Sequence, residues 1–151
     1  MVGRCFLVSR PFVPLDPDAQ LGYLLVVSAD RMSRAWHAAL RAQGINPRQF
    51  SMLATIAHDP GISQAELARR VMITPQSLSE SIARLIDAGL IARATADPGR
   101  SAGLALTDGG RSLLSEAYPV VETFNRDSFA ELTAAERAEL ARLLTKSMKP
   151  A

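Results

Sequence analysis

The architecture of the chain can be read from Ser63-Gln64-Ala65-Glu66-Leu67-Ala68-Arg69-Arg70-Val71-Met72-Ile73-Thr74-Pro75-Gln76-Ser77-Leu78-Ser79-Glu80-Ser81-Ile82-Ala83-Arg84-Leu85-Ile86-Asp87-Ala88-Gly89. Ser63 followed three residues later by Glu66 predicts a reciprocal capping box: the Ser63 hydroxyl accepts from the Glu66 amide while Glu66 reaches back. About two helical turns follow, with Leu67, Ala68 and Val71 facing inward. Met72-Ile73 makes a tight connection. Thr74-Pro75 is then a second N-cap with proline in the first turn. In the helix after it, Leu78, Ile82, Leu85 and Ile86 fall within about 100° of one another on a 3.6-residue wheel, and Gly89 is the stop. Two short helices joined by a three- or four-residue turn predict a helix-turn-helix, with the second helix as the reader.

Reading outward, Leu90–Thr95 and Gly103–Leu106 are expected as two short strands. They flank Ala96–Ala102, where Pro98-Gly99 favours a type II turn, which twists the wrong way for a tight hairpin. An open loop projecting Arg100 is the expectation. A hairpin directly after a recognition helix is a wing. Upstream, Pro11, Pro14 and Pro17 deny residues 1–17 a helix. Asp18 to Gly44 carries Leu21, Leu24, Leu25, Met32, Trp36, Ala39 and Leu40 at near-helical spacing. Asn46-Pro47 caps a shorter helix running to the Asp59-Pro60-Gly61 break. Downstream, Thr107-Asp108 caps a helix from Gly109 to about Leu132, in which Pro119 predicts a kink. Thr133-Ala134-Ala135-Glu136 opens a last helix. The expected fold is therefore mostly α with a small β-hairpin wing. It divides into an irregular arm (1–17), a dimerisation helix (18–45), a winged helix-turn-helix domain (46–108) and C-terminal dimerisation helices (109–151). Dimerisation is expected because the end helices carry more apolar face than one small winged core can cover.

At 151 residues, 48% hydrophobic and 21% charged, the chain is a single globular domain rather than a disordered one. One cysteine excludes a disulfide scaffold and a thiolate-rich metal site. His37 and His58 have no ligand cluster in sequence, so no metal or cofactor is expected. No spacing marks a nucleophile–base pair or paired carboxylates, so the chain does not read as an enzyme. The N-terminal apolar run is interrupted by Ser9 and Arg10, and Leu21–Ala29 is too short to span a bilayer, so a cytoplasmic protein without membrane contact is expected. Net charge is only +2, but residues 31–111 hold ten Arg against six acids, while both ends are slightly acidic. Arg69, Arg70, Arg84, Arg93 and Arg100 fall on elements that would face a duplex, and this placement points to double-stranded DNA.

These stretches, together with Leu85-Ile86-Asp87-Ala88-Gly89-Leu90-Ile91, Asp97-Pro98-Gly99-Arg100 and Leu106-Thr107-Asp108-Gly109-Gly110, resemble the MarR family of bacterial transcription regulators over about residues 18–148. The resemblance implies a homodimer in which the first and last two helices interlock. It also implies regulation, most simply repression, through a pseudo-palindromic operator, often relieved by a small aromatic or lipophilic effector. Two features depart from the family pattern. The wing loop is short, with Arg100 as its one clear candidate. Met72 occupies a turn that often holds glycine, so this turn must either adopt ordinary dihedrals or tolerate strain. The hydroperoxide-sensing branch carries its cysteine where this chain has Gly22, so Cys5 in the irregular lead is not expected to sense.

The expected DNA contacts are Ser63, Arg69, Arg70, Thr74, Pro75, Gln76, Ser77, Ser79, Glu80, Arg84, Arg93 and Arg100. Gln76 suits an adenine edge, Ser77 and Ser79 a base or phosphate, and Arg84 guanine or phosphate. Thr74 and the helix N-terminus suit a phosphate, and Arg100 the minor groove. Glu80, a carboxylate near DNA, is read as bracing Arg84 one turn on. Tyr23, Met32, Trp36, Phe50 and Met52 are candidates for an effector pocket, with plain core packing as the competing reading for each. Glu80, Asp87 and the short wing also leave a second class open, a winged-helix dimer that binds proteins or small molecules without DNA.

Overall fold

A computed structural model describes residues 13–94 and 103–148. The chain divides into two units, 1–33 and 34–151. In the first, Asp16 caps a single 3-10 turn, Pro17–Ala19, by accepting from the Asp18 amide at 3.0 Å. Helix α1 (Leu21–Arg41) therefore starts three residues later than the Asp18 expected from sequence. Within that unit Leu21, Leu25 and Val26 are exposed.

The second unit contains the winged core. Helix α2 (Pro47–His58) is capped by Asn46, whose side chain accepts from the Gln49 amide (2.9 Å) while the Gln49 side chain accepts from the Asn46 amide (3.1 Å). Helix α3 (Gln64–Arg70) and helix α4 (Pro75–Asp87) form the helix-turn-helix, N-capped by Ser63 and Thr74. Strands β1 (Ile91–Arg93) and β2 (Leu104–Leu106) pair antiparallel with Ile91 opposite Leu106 and Arg93 opposite Leu104. Helix α5 (Asp108–Ser128) is capped by Thr107, and helix α6 (Ala134–Ser147) by a Thr133–Glu136 capping box. The Thr133 amide and hydroxyl hold the Glu136 carboxyl below its ordinary pKa. The core unites Leu53 and Ile56 of α2, Leu67 of α3, Leu78, Ile82 and Leu85 of α4, Ile91 and Leu104 of the wing, and Leu114 and Ala117 of α5.

The two helical ends on either side of the reader share one construction. At the end of α4, Gly89 adopts φ +69° and the Leu90 amide donates back to the Leu85 carbonyl at 2.9 Å. At the end of α3, Met72 adopts φ +51° and the Ile73 amide donates to the Ala68 carbonyl at 3.2 Å. Both are 6→1 Schellman closures with a left-handed residue after the cap. Glycine takes that conformation without cost, whereas Met72 bears the Cβ–carbonyl clash. Of the two possibilities open to a turn without glycine, this one keeps the left-handed geometry and tolerates the strain.

Three other expectations change. Glu66 does not close a capping box on Ser63, because its carboxylate is taken by Arg69 and Arg70 of the same helix. The wing gains a third partner: the Ile62 carbonyl accepts from the Leu104 amide (3.0 Å) and the Leu104 carbonyl from the Gly61 amide (2.8 Å), forming an antiparallel bridge. A Cβ on Gly103 would sit 2.2 Å from the Gly61 carbonyl oxygen, so only glycine fits beside that bridge. Helix α5 ends at Ser128, short of Leu132, and Pro119 lies inside it without ending it. The Ser115 carbonyl that Pro119 cannot satisfy is on an exposed turn, where water can replace the missing donor. Helix α5 begins at Asp108 and runs through the Gly109-Gly110 pair. A Cβ on Gly110 would meet the Leu90 carbonyl oxygen at 2.0 Å, so that glycine lets α5 seat against the wing.

Met72 is 83% exposed, so replacing it removes almost no packing. Met72→Gly should leave unfolding free energy unchanged or raise it by up to about 1 kcal/mol, and Met72→Val should lower it by about 1 kcal/mol or more, since a β-branched residue tolerates φ > 0 least. Urea unfolding of the three proteins checks the order; a Val variant as stable as the parent would remove the strain.

Candidate nucleic-acid interface

Helix α4 buries Leu78, Ile82 and Leu85 at 1–2% exposure, and this stripe decides what the opposite face presents. Pro75, Gln76, Ser79, Glu80 and Arg84 are exposed there, and Ser77 is half-buried. Pro75 occupies the first helical position, where its missing N–H costs nothing. The Thr74 hydroxyl accepts from the Ser77 amide (3.3 Å) and donates to the Ser77 hydroxyl (3.1 Å). Ser79 donates to the Pro75 carbonyl at 3.0 Å. Both serine hydroxyls keep acceptor lone pairs and can rotate, so they suit a base amino group as well as a phosphate. Gln76, one residue into the exposed first turn, presents an amide able to pair in bidentate fashion with a base edge.

The cations on this face are not bare. Arg84 lies 3.6 Å from the Glu80 carboxylate and its Nε donates to the Glu80 carbonyl at 3.3 Å, the bracing geometry expected for Glu80. Arg69 pairs with Glu66. Arg70 pairs with Glu66 (3.1 Å) and reaches across to Asp59 at the end of α2 (2.9 Å). Arg93 on β1 differs, because with the Gln64 amide oxygen turned toward it, its guanidinium nitrogens lie 3.2 Å from an amide rather than a carboxylate. Ser63 is spent on its own cap, accepting from the Glu66 amide at 3.2 Å. Arg100 and Cys5 lie outside the described residues.

Along α2 runs a groove of about 450 Å³, lined among others by Trp36, Phe50, Ser51, Thr55, His58 and Arg70. Trp36 meets Phe50 edge-on (centroids 5.6 Å, 89°) and tilts on Phe124 at 4.6 Å, while Phe50 meets Tyr118 edge-on at 6.2 Å. The five expected pocket residues thus part company. Trp36 and Phe50 line the groove. Met52 is fully buried in the core and does not line this groove, which fits the competing reading of plain core packing. Tyr23 (exposed) and Met32 (half-buried) belong to the 1–33 unit. Arg70 and His58 were not legible as groove residues, since nothing in the sequence brings the ends of α2 and α3 to one cleft.

Among the described residues no helix is long and apolar enough to cross a membrane, and no three His, Cys, Asp or Glu gather as metal ligands. The sequence model of the MarR family matches residues 43–101. The HTH-type transcriptional repressor Rv2887 of Mycobacterium tuberculosis is 38% identical over 133 residues, covering 87% of this chain and 96% of that protein. The crystal structure of Rv2887 in complex with DNA superposes with a TM-score of 0.71 (35% identity, 87% of this chain, 100% of that one). Its complex with salicylic acid gives 0.69 (38% identity, 85% and 96%). BpsR of Bordetella bronchiseptica, whose DNA binding is regulated by 6-hydroxynicotinic acid, gives 0.80 at 25% identity (92% and 100%). With a relative this similar over nearly its whole length, and with the helix-turn-helix and wing both in place, the chain belongs to the MarR family.

Proposed function

We propose that the protein is a cytoplasmic, DNA-binding transcriptional regulator, acting as a ligand-responsive repressor and binding a pseudo-palindromic operator as a homodimer. One observation carries this reading: the buried stripe of α4 fixes Gln76, Ser79, Glu80 and Arg84 outward on a helix whose first turn is rigidly capped. A capped, exposed helix N-terminus with short polar side chains is what major-groove entry requires. Support comes also from the relatives, a repressor solved with DNA and a regulator answering to an aromatic acid. A second copy is expected on the apolar surface of α6, whose Leu143 and Met148 are exposed and which has no buried residue. Gln76 and Arg84 read bases, Thr74, Ser77, Ser79 and Pro75 set the register at the backbone, Arg93 holds the wing to the phosphates, and Arg100 reaches the minor groove. Ser63, Arg69 and Arg70 stand at the edge of this face. The groove beside α2 receives the effector, a small aromatic acid.

The test is an electrophoretic shift assay on the DNA upstream of the gene, across a salt series. Gln76→Ala should relax preference at one position per half-site, read by a panel of single-base operator variants, with half-sites about one helical turn apart; uniform weakening would make it a positioning contact only. Arg93→Ala and Arg100→Ala should each flatten the log-affinity against log-salt slope by about 1 unit for every phosphate that the removed guanidinium had neutralised. An unchanged slope for both takes the wing out of the interface. Absence of any salt-dependent shift would favour the winged-helix dimer that binds proteins or small molecules without DNA.

A further inference from the structure

Arg70 belongs to two places at once. It closes α3, immediately before the strained turn that leads into the reader, and it also forms part of the wall of the groove that Trp36 and Phe50 line. Its guanidinium is held by two carboxylates from different elements, Glu66 of its own helix at 3.1 Å and Asp59 of the α2 cap at 2.9 Å. Neither pair is sealed: the side chains of Arg70, Asp59 and Glu66 are 41%, 44% and 34% exposed. Surface ion pairs of this kind contribute little to stability, so a better carboxylate can displace one of them. The groove offers the other half of such a ligand, an indole and a phenyl ring set edge to face, against which a planar ring can pack.

We infer that Arg70 is the carboxylate receiver of the groove, and that an aromatic carboxylate seated there takes the guanidinium from Asp59 in exchange. The inference rests on the reading of the groove as the effector site. It assigns to Arg70 a role different from DNA contact, because its guanidinium reaches back to Asp59 at the end of α2 and lines the groove. A carboxylate matches the planar fork of arginine in a way that a neutral amide of the same shape does not. Losing Asp59 as partner releases the tie between the end of α2 and the end of α3, four residues ahead of the Thr74 cap.

The test measures binding of salicylate and of salicylamide, its uncharged counterpart, to the full chain by calorimetry. The variants are Arg70→Gln, Arg70→Lys, Asp59→Asn and Ser51→Trp, the last filling the groove from an exposed position. Thermal unfolding confirms that each is folded. Arg70→Gln should weaken salicylate by about tenfold or more and leave salicylamide unchanged, because a charge-assisted bond is removed. Arg70→Lys should fall between, and Asp59→Asn should tighten salicylate by about threefold, since the competing charge is gone. Equal salicylate-to-salicylamide ratios in the parent, Arg70→Gln and Asp59→Asn overturn the assignment. If Ser51→Trp abolishes binding while Arg70→Gln spares it, the groove reading stands and Arg70 has no part in it. If the parent binds neither compound, or Ser51→Trp binds both as the parent does, the groove reading falls and the assignment with it.

Discussion

Leu78, Ile82 and Leu85 fix the rotation of α4 about its own axis, and every surface that the helix offers follows from that rotation. Each of these side chains contributes about 1.5–3 kcal/mol by leaving water. Turning the helix by a single residue, roughly 100°, would expose part of this stripe and turn Ser77, Ser81 and Arg84, or Ser79 and Ala83, toward the core instead. The core they enter is shared: Leu67 from α3, Ile91 and Leu104 from the wing and Leu114 from α5 belong to the same cluster. The reader and wing are therefore held by one body of apolar contact. Gly110 and Gly103 are the places where backbones must touch for that body to close.

Arg69, Arg70 and Arg84 are paired with carboxylates within the protein, which taken alone argues against phosphate binding. Magnitudes weaken that argument. Exposed pairs such as Arg84–Glu80 and Arg69–Glu66 contribute about 0.2–1 kcal/mol each and are screened by salt. A phosphate contact that releases a condensed counterion outweighs this at ordinary ionic strength. The carboxylates thus hold the guanidinium groups in place at small cost and give them up readily. They also lower the net positive field of the free protein, which limits binding to arbitrary sequence.

What could be read in the sequence is what local chemistry fixes. Asn46, Ser63, Thr74, Thr107 and Thr133 each precede a helix and each cap it, because a short side-chain oxygen and an orphan amide two or three residues on need nothing distant. The apolar period of α4 and the hairpin after it are of the same kind. Competition through space was not legible. Glu66 had a choice between the Ser63 amide and two arginines, and the two charges won. Met52 and Phe50 lie two residues apart on α2, and only the packing of neighbouring helices sends one into the core and the other to the groove. The positive φ of Met72 is imposed by where α4 must start, not by methionine itself.

That last feature bears on how a ligand in the groove can be felt by the reader. Met72 costs the folded state of the order of 1 kcal/mol relative to a relaxed conformation. The connection between α3 and α4 is therefore held in this conformation by its surroundings, and the Arg70–Asp59 pair lies two residues upstream of it. A coupling of about 1.4 kcal/mol changes operator affinity tenfold. An exposed pair such as Arg70–Asp59 contributes about 0.2–1 kcal/mol, so its loss alone accounts for only part of such a coupling. On the function proposed above, loosening the turn would let the Thr74 cap and Gln76 leave the orientation they hold here, while the core beneath α4 stays packed. The strained residue lies on the short stretch of chain between Arg70 and the helix, which the proposed exchange would have to cross. A relaxed glycine in its place would then keep the fold and blunt the response.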